Sequence, residues 1–62
     1  MHDKKQIGKI IRQKRKELGM SVVKLSLMAF VSRGHLNNIE SGLRGMSKGT
    51  KESICKVLGL NI

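Results

Sequence analysis

The chain has 62 residues, with 13 Lys and Arg against four Asp and Glu and a formal charge of +9. That length holds one small domain, which at this size hides only about 60% of its unfolded surface, and it excludes doubly wound sheets and barrels. One Phe, no Trp, no Tyr and a single Cys exclude an aromatic core and a disulfide framework. Cys55, His2 and His35 are too few soft donors for a structural zinc site, so no metal and no cofactor are expected. A charge of +9 attracts nucleic acid, anionic membrane or an acidic protein through the same long-range field. The longest apolar run, Leu27-Met28-Ala29-Phe30-Val31, is far below the 18 or so residues that span a bilayer. The first twenty residues are basic throughout and have no apolar signal core. No membrane association and a cytoplasmic location are therefore expected.

Without Pro, Gly punctuates the chain. Ile7, Ile10, Ile11 and Leu18 share one stripe of a helix predicted from Lys4 to Leu18, with Asp3 as its N-cap and Gly19 beyond its end. Ser21 is placed to cap a second helix, Val22 to Ala29. Ser32 caps a third, Arg33 to about Ser41, with Leu36 and Ile39 turned inward and Gly42 as its stop. After a loop of Gly and basic residues, Thr50 begins a fourth, with Ile54, Cys55 and Leu58 inward, Gly59 as the stop and Leu60 behind. No strand alternation occurs. The fold class is all-α: one domain over residues 1–62, of four short helices, or five at most.

Only Phe30-Val31-Ser32 separates the second and third helices, so residues 22–41 make a helix-turn-helix unit. Helices this short are marginal alone and need the first and fourth to hold them. The N-terminal half of the third then projects toward a partner, in a geometry suited to a major groove roughly 12 Å wide.

These residues resemble the lambda-repressor-like, Xre-type helix-turn-helix family. The resemblance rests on Ile7-Gly8, on Ile11-Arg12-Gln13-Lys14-Arg15-Lys16-Glu17-Leu18-Gly19-Met20-Ser21, and on Leu25-Ser26 and Val31-Ser32. It continues through Leu36, Ile39, Glu40-Ser41-Gly42 and Leu58-Gly59-Leu60, and so covers nearly the whole chain. Three positions depart from the family pattern. Val22 replaces a Gln that reaches a phosphate, Phe30 replaces a turn Gly, and Met46 replaces a Pro before the last helix. A bulky residue with positive φ is strained, so either the turn differs or the Phe30 ring gains compensating burial.

The resemblance implies a double-stranded DNA partner. Arg33, Gly34, Asn37 and Asn38 become candidate base-reading residues: Arg can grip guanine and Asn adenine through two hydrogen bonds each, while Gly34 allows close approach. Ser21, Ser32, His35, Arg44 and Lys48 become candidate phosphate contacts. The remaining basic residues of the first helix point in several directions, and many only solvate a face while raising non-specific attraction. Arg15 and Glu40 are expected to form a structural ion pair between the first and third helices. Cys55 stands where a small core residue belongs, and no nucleophile, base or carboxylate pair falls at a usable spacing, so neither catalysis nor a small-molecule ligand is expected.

The second helix is more apolar than one buried face requires. Leu25, Ser26, Ala29 and Val31 suffice for that face, which leaves Val23, Leu27 and Phe30 as a candidate protein interface unless a tight core absorbs them. The chain ends at Ile62, before the helix through which many such proteins dimerise, so any homodimer is expected to use a non-standard surface. The leading expectation is a sequence-specific regulator of the Cro or repressor kind, at a phage, plasmid or mobile-element promoter. The alternatives are a protein-interaction module on the same scaffold and a non-specific basic DNA-binding accessory factor.

Overall fold

Each helix starts where a short polar side chain replaces a missing backbone acceptor. In the computed structural model, which describes residues 3–62, the helices are α1 (Lys4–Glu17), α2 (Val22–Ala29), α3 (Arg33–Ser41) and α4 (Lys48–Leu58). His2, weighed above as a metal donor, lies outside the described residues. Asp3 and Gln6 form a capping box at α1: Asp3 Oδ1 accepts the Gln6 amide at 2.8 Å and Gln6 Oε1 accepts the Asp3 amide at 3.3 Å. Ser21 Oγ accepts the Lys24 amide at 3.0 Å and Ser32 Oγ the His35 amide at 3.1 Å.

The fourth helix begins earlier than expected. Ser47, not a residue next to Thr50, is its N-cap: Ser47 Oγ accepts the Thr50 amide at 3.3 Å and donates to Thr50 Oγ1 at 3.0 Å. Thr50 is thus the third helical residue, and Lys48 opens α4 instead of lying in the preceding loop. Leu18 also departs from expectation. It is the C-cap of α1 and half exposed, because the chain has turned off the inward stripe before reaching it.

α1 packs on α3 and α4, and α2 packs on the same two helices. Ile11, Leu25, Leu36, Ile39 and Ile54 are fully buried where the four meet, joined by Ala29, Cys55 and Leu58. Each fully buried Leu or Ile contributes roughly 1.5–3 kcal/mol, so these few side chains dominate the stability of a small domain. The closest approach is that of α1 to α3. A Cβ on Gly8 would press on the carbonyl oxygens of Ile39 and Glu40, the latter at 2.7 Å, and a Cβ on Gly42 would meet Lys5 Cγ at 2.7 Å. The two helices touch backbone to backbone at Gly8.

The turn after α2 resolves the question raised by Phe30, against both expected remedies. Its backbone stays left-handed, with φ 56° and ψ 44°, and its ring is 95% exposed. Neither a changed turn nor burial compensates the residue. The conformation is held by backbone bonds, since the amides of Phe30 and Val31 both donate to Ser26 O. A non-Gly residue in this region costs roughly 1–2 kcal/mol, while Gly loses about 0.5–1 kcal/mol more chain entropy on folding. Phe30→Gly is therefore expected to stabilise the monomer by up to about 1 kcal/mol, and each kcal/mol raises the melting temperature by roughly 4–8 °C for a domain of this size. A thermal melt checks this, and a lower melting temperature for the variant would contradict it.

Candidate nucleic-acid interface

α2 and α3, of eight and nine residues, are joined by residues 30–32 alone. At about 1.5 Å per residue α3 is about 13 Å long, comparable to the width of a major groove. Its two sides differ sharply. Leu36 and Ile39 are buried in the core, while Arg33, Gly34, Asn37 and Ser41 are exposed and His35 and Asn38 are half-buried. The structure thus brings Arg33, Gly34, Asn37 and Asn38 together on one short helix, with Asn38 closer to the core than the other three. A Cβ on Gly34 would meet nothing within 4 Å, so internal packing does not require glycine there.

The candidate phosphate contacts are more dispersed. Ser21 and Ser32 cap α2 and α3 and are exposed, with their oxygens already accepting the Lys24 and His35 amides; each hydroxyl proton and the amides of the first two residues of each helix remain as donors. His35 lies in the first turn of α3. Arg44 follows the opposite, C-terminal end, where the amides of Leu43 and Arg44 donate to Asn38 O at 3.0 and 3.2 Å. Lys48 is exposed at the start of α4.

One ion pair fixes how α3 sits on its base. Arg15 Nε donates to Glu40 Oε2 at 2.8 Å and Arg15 Nη2 to Glu40 Oε1 at 3.0 Å, a two-pronged pair with side chains only 10% and 6% exposed. Arg15 Nη1 donates to Met20 O at 2.8 Å. The guanidinium therefore ties together α1, the α1–α2 connection and the end of α3. The Glu40 hydrogen bond raises the Arg15 pKa above its ordinary value, against the opposing effect of burial.

Two short helices with this linker, one of them split between a buried and an exposed polar side, are the parts of a DNA-reading unit. A helix-turn-helix family model matches residues 11–62. The chain belongs to the lambda-repressor/Xre-like helix-turn-helix family. No curated protein matches it. As a helix-turn-helix protein it is a DNA-binding regulator of transcription with double-stranded DNA as its partner, in a family whose function is binding and not catalysis. No helix among the described residues is long and apolar enough to cross a membrane.

Two features of the surface adjoin this helix-turn-helix unit, and only the second was invisible in the sequence. The apolar side of α2 is not absorbed by the core: Val23, Leu27 and Phe30 are exposed, and Met28 extends the same surface. Arg12 is the second. It lies on the wall of an open cleft shared with Val22, Asn37, Asn38 and Ser41, and so stands apart from the general basic surface of α1.

Proposed function

We propose that the protein is a sequence-specific transcriptional regulator of the Cro or repressor kind, acting in the cytoplasm at a phage, plasmid or mobile-element promoter. The N-terminal half of α3 enters the major groove, Arg33 and Asn38 read base edges, Asn37 reads alongside them, and Gly34 lets the helix approach closely. The division of α3 between a buried Leu36/Ile39 side and an exposed Arg33/Gly34/Asn37 side carries this reading. Ser21, Ser32, His35, Arg44 and Lys48 hold the phosphate backbone, and Arg15 with Glu40 sets the angle of α3. A good two-bond contact discriminates by roughly 1–3 kcal/mol. Arg33→Ala and Asn38→Ala are each expected to lose about that much on a selected site and far less on random duplex. Equal losses on both duplexes, measured by titration at one salt concentration, would count against base reading.

A second reading concerns self-association, and the 95% exposure of a strained Phe30 beside Leu27 and Val23 favours it. A second copy of the chain is proposed to pack on this face of α2 when two copies share one DNA site. Sedimentation with a selected duplex is expected to show two protein chains per duplex for the wild type and one for Leu27→Ser/Phe30→Ser. A strictly monomeric wild type, with and without DNA, would defeat it.

A further inference from the structure

The charge on α1 is not uniform in what it faces. Arg12 is exposed and shares an open cleft of about 420 Å³ with Val22, Asn37, Asn38 and Ser41, and the Arg15–Glu40 pair lines the same cleft. Since Arg15 and Glu40 neutralise one another through two hydrogen bonds, Arg12 supplies the net charge. The other walls offer the side-chain amides of Asn37 and Asn38, both capable of donating to an anion, while the Ser41 hydroxyl already donates to Asn38 O at 3.1 Å. Val22 offers only an apolar side chain to the cleft. The cleft is therefore cationic, rich in donors, and next to the reading side of α3.

We infer that Arg12 is a positioning residue that grips a DNA phosphate at the mouth of this cleft. The inference rests on the DNA-binding reading above. It makes Arg12 different from Lys9 and Lys16 of the same helix, whose charges serve only general attraction. An arginine suits the task because its planar fork presents several donors to one phosphate. The contact fixes the register of α3 on the duplex without reading a base.

The test is a salt titration of duplex binding by the full chain. Each phosphate contact contributes about 0.9 to the slope of log affinity against log salt. Arg12→Ala is expected to flatten the slope by about that amount, which corresponds to about a five-fold loss near 0.15 M salt that fades toward 1 M. The loss should be equal on selected and random duplex. Lys16→Ala should change the slope by much less, and Arg12→Lys should keep most of it. Adding Val22→Gln to Arg12→Ala should recover part of the lost affinity, an effect that a purely structural role for Arg12 would not produce. Circular dichroism verifies that each variant is folded. A slope for Arg12→Ala equal to that of the wild type or of Lys16→Ala would overturn the assignment while leaving DNA binding intact. A wild type that binds no duplex at any salt would overturn the DNA-binding reading and the Arg12 contact together.

Discussion

Glu40→Ala is expected to lose about 3–5 kcal/mol of stability, the cost of leaving one member of a buried ion pair without its partner. A chain of 62 residues has roughly 3–9 kcal/mol in total, so the loss removes a large share of the stability and should lower the melting temperature steeply. The reason is geometric. Arg15 is 8% exposed and directs three hydrogen bonds, two to Glu40 and one to Met20 O. Removing the carboxylate strands a guanidinium that water reaches poorly. Replacing Arg15 by Ala strands the Glu40 carboxylate in the same way. A Glu40→Ala protein that melts at the wild-type temperature would remove the pair from the account. Because the Arg15 pKa is raised by the pair, its contribution is fully present below the unfolded-state value and is lost only as pH rises through the still higher folded value. On the arginine side, the stabilisation is thus flat across neutral and moderately alkaline pH.

Gly8→Ala should be nearly as damaging. Overpacking usually costs about 1–3 kcal/mol because side chains can move aside. Here the added methyl would meet the backbone carbonyls of Ile39 and Glu40, which cannot rotate away without disrupting α3. A loss of about 3 kcal/mol or more is expected, at the upper end of that range. The matched control is Gly34→Ala, where a Cβ meets nothing within 4 Å. There the better helix propensity of Ala should raise stability by about 0.5–1 kcal/mol. Chemical denaturation of the two variants separates the effects, and similar behaviour of both would contradict the close α1–α3 contact.

Much of the fold was legible because local chemistry repeats what packing demands. Asp3, Ser21 and Ser32 cap the helices they were assigned to, and Leu36, Ile39, Ile54, Cys55 and Leu58 turn inward as their spacing requires. The start of α4 was missed because Ser47 and Thr50 are both capable caps, and only the fold decides between them. Phe30 shows a different limit. The sequence reveals that a left-handed turn lacks its glycine, but not that backbone bonds to Ser26 hold the turn regardless. Gly8 did carry a signal, since a glycine inside a helical stretch lowers propensity and points to a close packing partner; the partners themselves, Ile39 and Glu40, lie far along the chain in α3. Arg12 carried none. Among the basic residues of α1, the one beside α3 is set by how the helices pack, which no residue spacing displays.

The candidate site divides along the same line. The candidate reading residues came from the family resemblance, and the structure places Arg33, Gly34 and Asn37 on the exposed side of α3, with Asn38 half-buried. The ion pair that orients the helix joins residues 25 apart in sequence, and only the family resemblance linked them beforehand. Charge divides less evenly than its total suggests. The +9 supplies attraction to any duplex, while the proposed function assigns discrimination to a few side chains on α3, with Arg33 as the charged one among them.

Selection of bound sites from a random duplex library, carried out at several salt concentrations with wild type and Arg33→Ala, tests this division most directly. The account predicts that the wild type enriches one half-site, that the enrichment persists as salt rises, and that Arg33→Ala relaxes the preference at a single base position. Uniform recovery of all sequences by the wild type, with affinity falling steeply in salt and no half-site at any concentration, would contradict it.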